Sequence, residues 1–517
     1  MQVLRAWTLP TNAKHAPLKD LRQAAITNTP FNIDNKSTGN VKPFAQNAHQ
    51  QEPCLTHLAV SDGPTSRVLA FAASDRRAYI FDFHEDQAVA QLDIGAEGAS
   101  HVVWSRNGQA VLAWSNSHLR LSVYDLARPS PTVHIANPKS TYPAGKMQRT
   151  KPEHARQLLT LASTGVSFNA DGSLMAVLER HNSRDSVGIY DCAQWSLLKH
   201  FLLPSPTVDA SDVHWSPCGR FLAINEAVTD YVAHIYTPDG RHLSTFEPYA
   251  SLGRAPATAE SMMEVARRDR STQGWVGLGT RVLKWQTTGE WLALGGYDGK
   301  IRILSRQGWL PVAELNCPTR IMSQTVVWRE PAEWTERTRG KGIIPFDAVT
   351  VPYSLIATRP DVTKPNPKLG ISQLAWSPSG CWLAALNQTY PSIVWIFSLL
   401  SSQNHQFRPH LHSALVHNCS ISSFVWQPMA SNGSGEGFEE EEDDVQETLT
   451  IASGERGFTV WREPNPDDEV ERVGMAECVG VPSQTEFGPT NLQFSRTGKA
   501  LLLADKQTFA VAYPVIK

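Results

Sequence analysis

An all-β fold assembled from repeated four-stranded antiparallel units is what this sequence predicts, on three observations. First, one phrase recurs: an apolar strand closed by an aromatic, a four-residue turn ending in Gly, then a second apolar strand. It reads "VHWSPCGRFLAIN" from Val213, "VVWSRNGQAVLAW" from Val102, "VSFNADGSLMAVL" from Val166, "LKWQTTGEWLALG" from Leu283, "LAWSPSGCWLAAL" from Leu374 and "LQFSRTGKALLLA" from Leu492. A further copy, "FVWQP" at Phe424, runs into a long insertion. Second, each copy is followed by a β-branched and aromatic third strand, such as "DSVGIYDC" or "GKIRILS", and often by a more polar fourth, such as "RHLSTFE" from Arg241. Third, Gly, Pro, Asn and Asp punctuate these runs. Four antiparallel strands repeated radially make a β-propeller blade. About eight such units are visible, with long loop insertions; whether they form one ring or two stays open at this point.

The phrase explains itself physically. Its closing aromatics are Trp104, Phe168, Trp215, Trp285, Trp376, Trp426 and Phe494. Each is expected to pack between neighbouring sheets, where burying one such ring contributes about 1.5–3 kcal/mol. The Gly accepts a positive φ in the first turn. In "GGYDGKIRIL", Asp298-Gly299 occupies the second turn, and Asp-Gly between strands is a strong hairpin signal. These residues therefore read as structural blade residues.

Repeats share one continuous core, so length does not divide this chain into ordinary domains. Residues 1–54 read as an N-terminal strand followed by a polar, disordered arm, and 55–315 as units one to five, with an insertion at 247–279. Residues 316–370 form a long connection, and 371–517 hold units six to eight, with an acidic loop at 430–446. Residues 136–160 are a basic loop, and "TAESMMEVARRDR" from Thr258 suits one short helix. The first unit lacks the aromatic phrase; the last ends after its third strand. "QVLRAWTL" from Gln2 reads as a fourth strand without its first three. Two readings stand: it completes the last unit, which removes an open sheet edge, or it is the remnant of an upstream unit.

Composition excludes several function classes. A net charge of -3 argues against a nucleic-acid surface as the main business. Seven cysteines, scattered singly and without a CxxC, read as reduced thiols, not as a disulfide framework. The N-terminus lacks the apolar core of a signal peptide. The longest apolar run, "SIVWIFSLL", is too short to span a bilayer. Together these suit a soluble intracellular chain. No GxSxG nucleophile elbow, GxxxxGK[ST] phosphate loop or GxGxxG after a strand occurs. His410 and His412 share a strand face but have no evident third ligand, so they read as surface histidines. No catalytic residue, metal site or cofactor is implied.

Several stretches resemble one family of divergent WD-repeat proteins. Gly-His and Trp-Asp dipeptides are absent, and third strands end in Phe-Asp, Tyr-Asp or Trp-Arg instead. Yet "LERHNSRDSVGIYDCAQWSLLKHF" from Leu178, "IYTPDGRHLSTFEPYASLG" from Ile235 and "LALGGYDGKIRIL" from Leu292 resemble the centrosomal and spindle-pole WD-repeat protein eight family. So does "VPYSLIATRPDVTKPNPKLGISQLAWSPSGCWLAALNQTYPSIVWIFSL" from Val351, with its "PNPKLGI" lead-in to a blade. The resemblance covers roughly residues 55–515 outside the insertions. It implies a further full blade upstream, whose fourth strand the start of this chain resembles; that favours an incomplete gene model. It implies a non-enzymatic adaptor in the cytoplasm and cytoskeleton, at the spindle pole body or centrosome. The implied partners are a coiled-coil anchoring protein (the Msd-one or SSX-interacting family), a kinesin-14 motor and, indirectly, microtubule minus ends, with no membrane. No family motif assigns single contact residues. From the sequence itself, the 316–370 connection, with Lys364, Asn366 and Lys368, is the candidate docking surface, because long loops on a rigid scaffold carry recognition. The alternative is a propeller scaffold in an RNA-processing or translation complex, for which "KMQRTK", "ARRDR" and "ERTRGK" supply basic segments.

Overall fold

Each copy of the recurring phrase folds as the first hairpin of an antiparallel sheet, and the residue after the closing aromatic shows why the turn is so uniform. In the computed structural model, Ser105, Asn169, Ser216, Ser377 and Ser495 each turn a side-chain oxygen back onto the amide five residues on: Ala110, Leu174, Phe221, Trp382 and Ala500, at 2.9–3.1 Å. A short polar side chain there satisfies a donor that the turn would otherwise orphan. The structure describes residues 2–8, 55–60, 67–72, 77–82, 87–94, 98–115, 117–126, 131–140, 164–203, 209–227, 230–249, 278–322, 325–332, 334, 342–359, 368–400, 407–429, 446–464, 474–481, 487–495, 498, 500–505 and 508–513. The predicted helix from Thr258, the whole polar arm and all but the last residue of the acidic loop lie outside these residues.

The described strands form eight sheets of four or more strands. Seven follow the chain in order, at residues 55–93, 99–136, 166–202, 210–246, 280–316, 371–416 and 423–480. The eighth takes three strands from 491–513, and Gln2–Thr8 pairs antiparallel with its strand Thr508–Tyr513 as the fourth. We number these blades one to eight. The expected all-β propeller architecture is thus present, and the N-terminal strand takes the completing position.

The core lies between sheets. Each buried cluster among the described residues is shared by two successive blades. Blades three and four, for instance, share Leu178, Ile189, Val213, Trp215 and Ile224. Leu55–Val60 of blade one also lies near Asn491–Phe494 of blade eight.

The closing aromatics join these neighbours by more than burial. Trp426 donates its indole N–H to Ala375 O (3.0 Å), Trp376 to Lys284 O (3.1 Å), and Trp285 to His214 O (3.2 Å). Every acceptor is the residue just before the previous blade's closing aromatic. Trp215 turns its indole to its own turn at Gly219 O, and its backbone N–H takes over, reaching Ser167 Oγ beside Phe168 at 2.8 Å. Two blades carry Gln after the aromatic: Gln286 and Gln427 donate to Gly380 O and Gly498 O in the next blade's turn. Gly380 needs its φ of +77° there, and a Cβ would lie 2.4 Å from the Gln286 amide nitrogen.

The 316–370 connection is more ordered than a loop. Val326–Arg329 adds to blade six, parallel to Ser413–Val416, and Asp347–Val349 adds outside it. Ile343–Pro345 adds to blade seven along Glu477–Val479. Arg320–Ile321 pairs with Tyr353–Ser354 where the segment leaves and returns. Blade six therefore has six strands and blade seven five. The fourth strands offer unpaired edge amides and carbonyls, and Ile321, Val327, Trp334 and Phe346 bury against blades six and seven. We call this segment the strap.

Trp376→Phe keeps most of the ring but leaves Lys284 O without its donor, and should cost about 1 kcal/mol. Trp376→Ala adds a cavity, and should cost about 3–5 kcal/mol. Urea unfolding should rank wild type, Phe and Ala in that order. A Phe variant as weak as Ala would assign the whole effect to the lost indole hydrogen bond, and one as stable as wild type would assign it to ring volume.

Candidate functional site

Antiparallel alternation sorts the connections onto two faces. Links from a fourth strand to the next first strand leave from the same face as links between strands two and three. Links one-to-two and three-to-four leave from the other. The long connections 137–165, 247–279 and 317–370 are all of the first kind. Their sequences carry the basic clusters Lys146, Arg149, Lys151 and Arg156, then Arg267, Arg268 and Arg270. Segments 427–447 and 463–474 are of the second kind, and carry the unbroken acidic run 439–444 and Asp467, Asp468, Glu469 and Glu471. In sequence, connections of the two kinds thus carry charge of opposite sign, which the near-neutral total conceals.

On the first face, of the three docking candidates, Lys364 and Asn366 lie outside the described residues. Lys368 is exposed. The backbone behind it is fixed: Arg281 donates to Leu369 O (2.7 Å) and Gln388 Oε1 (2.9 Å), and Gln388 N–H donates to Gly370 O (2.9 Å). Gly370, at φ +77°, packs so closely on blade five that a Cβ would sit 2.5 Å from Tyr297 Cα.

Most of the strap's described part is occupied with holding blades six and seven. Its anchor is Glu330, buried between them. Its carboxylate accepts the Trp334 indole N–H (2.6 Å) and the Asn418 N–H (2.8 Å), with His417 Nδ1 at 3.5 Å. Burial alone would raise this acid; His417, the Asn418 amide and the Trp334 indole outweigh it and hold Glu330 below the ordinary carboxylate range. Neither Glu330 nor Trp334 carried a sequence signal beyond their places in an aperiodic stretch.

Asp298 is engaged at the joint of blades four and five. Its carboxylate, fully buried, accepts Arg302 Nη1 (2.6 Å), Tyr249 OH (2.7 Å) and the Lys300 N–H (3.1 Å). Arg302 also donates to Tyr231 OH (2.8 Å) and stacks over the Tyr231 and Tyr249 rings. Both tyrosines come from blade four. Burial, then the Asp298 charge, push both hydroxyls above their usual range, so they stay protonated. Only the Asp-Gly turn of this network was legible beforehand. Among the closing aromatics, Trp104, Trp215, Trp376, Trp426 and Phe494 are buried, and Phe168 and Trp285 half-buried against the clusters of blades two–three and four–five.

His410 and His412 do not converge on a ligand. His412 packs edge-on to Trp382 and Trp461, and burial, then His410, push it down to about 4. Among the described residues no group of three or more His, Cys, Asp or Glu side chains is placed to hold a metal ion. No helix among them is long and apolar enough to cross a membrane.

No protein-family model matches the chain. It is 24% identical over 480 residues to "WD repeat-containing protein WRAP73" of Mus musculus, covering 89% of this chain and 86% of that protein. It is 23% identical over 363 residues to an uncharacterized WD repeat-containing protein of Schizosaccharomyces pombe, covering 69% of this chain and 61% of that one.

Two outcomes follow from this geometry. Asp298→Ala leaves Arg302 buried without its carboxylate and should destabilise by about 3–5 kcal/mol, read by thermal or urea unfolding. Glu330, with a lowered folded-state pKa, stabilises the strap above the ordinary glutamate value near 4.3, and that stability drains as pH falls through its folded value. Hydrogen-exchange protection at Val326–Arg329, relative to the intrinsic rate at each pH, should fall on acidification below about pH 4.3. Glu330→Gln should be less protected already at neutral pH and lose this acid response.

Proposed function

The chain belongs to the WD-repeat proteins, and from that premise we propose that it is a non-enzymatic adaptor that helps anchor spindle microtubule minus ends at the spindle pole body or centrosome. The partners in this reading are a coiled-coil anchoring protein and a kinesin-14 motor. The observation that carries the adaptor role is a WD-repeat relative matched along 89% of the chain, on a fold in which Trp285, Trp376, Trp426, Asp298 and Glu330 are engaged in joining blades. A rigid propeller offers faces and sheet edges to helices and extended peptides. What supports the pole-side assignment is the residue-level resemblance of 178–201, 235–253, 292–304 and above all 351–399 to the spindle-pole family.

A scaffold in an RNA-handling complex is the second reading, favoured by the basic sequences entering one face. Phosphate contacts weaken steeply with salt, so RNA retention that collapses between low and physiological salt would support it.

Affinity purification of the tagged chain from mitotic cells separates the two. Recovery of a coiled-coil spindle-pole anchor, with or without a minus-end kinesin, is the expected result. Ribosomal or RNA-processing subunits in its place would overturn the pole-side assignment and leave the scaffold role.

A further inference from the structure

We propose that the outward face of the small ladder at the root of the strap docks an acidic, apolar-bearing segment of a partner protein. This rests on the adaptor reading and gives it a location.

The ladder pairs Arg320 with Ser354 and Ile321 with Tyr353. Strand side chains alternate between faces. Ile321 and Leu355 point inward and are buried in the core of blades five and six. Arg320 and Ser354 point outward. Continuing that alternation, Met322 is 60% exposed and Ile356 93% exposed. Single exposed apolar side chains are ordinary. Two on one face of a pinned ladder are a different matter, because the backbone that presents them is held on both sides. Leu355 N–H donates to Thr319 O (2.9 Å), and Thr358 N–H to Thr389 O (2.8 Å). Ile356 is thus kept in water by its neighbours' bonds, not by a slack chain.

Charge selects the occupant. Arg320, Arg359 and Lys368 are exposed, and no carboxylate pairs with any of them among the described residues. Arg359 and Lys368 approach from two parts of the chain. Thr358, beside Arg359, bonds to the carbonyls of Gln388 and Thr389, and Gln388 bonds to Gly370, two residues beyond Lys368. Cations around exposed Met and Ile complement a segment that carries carboxylates among apolar side chains. The surface lies on the face that receives the basic connections. The strands that bracket the chain's own acidic run, Ser423–Trp426 and Thr448–Ala452, are joined on the opposite face, and a second copy is the occupant that the test sets against a partner.

The test uses the full chain and a fluorescein-labelled synthetic peptide in which Leu and Phe alternate with Glu, with a Lys-for-Glu peptide as control. The acidic peptide should bind and the control should not. Met322→Ser with Ile356→Ser, and separately Arg359→Glu with Lys368→Glu, should each weaken binding by about tenfold or more with the melting temperature unchanged, since all four side chains are exposed. Absent binding, or equal binding by both double variants, would overturn the proposal. So would concentration-dependent self-association that vanishes when Glu439 to Glu442 become Gln, which would put a second copy in the partner's place. The same variants in the mitotic purification keep the two readings apart. Anchor recovery by wild type and variants alike sinks the patch and leaves the adaptor standing. Patch-dependent peptide binding without any anchor in the wild-type sample supports the patch and removes the pole-side partner.

Discussion

The link from a closing tryptophan to the carbonyl beside the previous blade's aromatic is the constraint from which much else follows. A four-stranded sheet has two apolar faces and no means of burying them alone. Burial between sheets supplies attraction but not register, because it is non-directional. The indoles of Trp285, Trp376 and Trp426 add direction: each fixes where one first strand lies along its predecessor. At blade four the Trp215 amide and Ser167 do the same by another route. Side-chain amides of Gln286 and Gln427 reach forward from two of the same blades. Blade-to-blade geometry is therefore set at the hub side by hydrogen bonds and filled in by the clusters.

That division of labour explains what the sequence disclosed. The aromatic phrase was legible because one physical task recurs with one solution, and its strands fall where alternation and turn residues place them. The strap was not legible. Its strands are two to four residues long, and its apolar residues follow no period, since each answers to a different neighbour: Val327 to blade six, Ile344 to the edge of blade seven, Trp334 to Glu330. Arg302 with Tyr231 and Tyr249 was hidden for a related reason; the partners lie 53 to 71 residues apart, and only the fold brings them together. The candidate surface was legible in part. Lys368 was singled out within a long connection, whereas Ile356 and Met322 look like ordinary strand residues until the pairing shows which way they point.

The distribution of ionisable groups separates scaffold from surface. Buried carboxylates here are answered from within: Asp298 by Arg302 and Tyr249, Glu330 by Trp334, Asn418 and His417, and Glu179 by Tyr190. Such groups hold blades in place and are spent in doing so. Exposed cations on the connection-bearing face are left over, and an adaptor's selectivity has to come from residues its own fold does not use.

The strap also imposes an order on synthesis. Its strands pair with residues that emerge much later: Glu330 meets Cys478 across 148 residues of chain. At about 5–20 residues per second, the nascent strap waits roughly 7–30 s for its second blade. Through that interval only blade six can cover Trp334 and Phe346, and Ile344 lacks its partner strand. Gln2–Thr8 waits longer still, until Thr508–Tyr513 has left the ribosome. Blade eight is thus completed by a strand made long before its partner, and blade seven gains its fifth strand from a segment that waited for it.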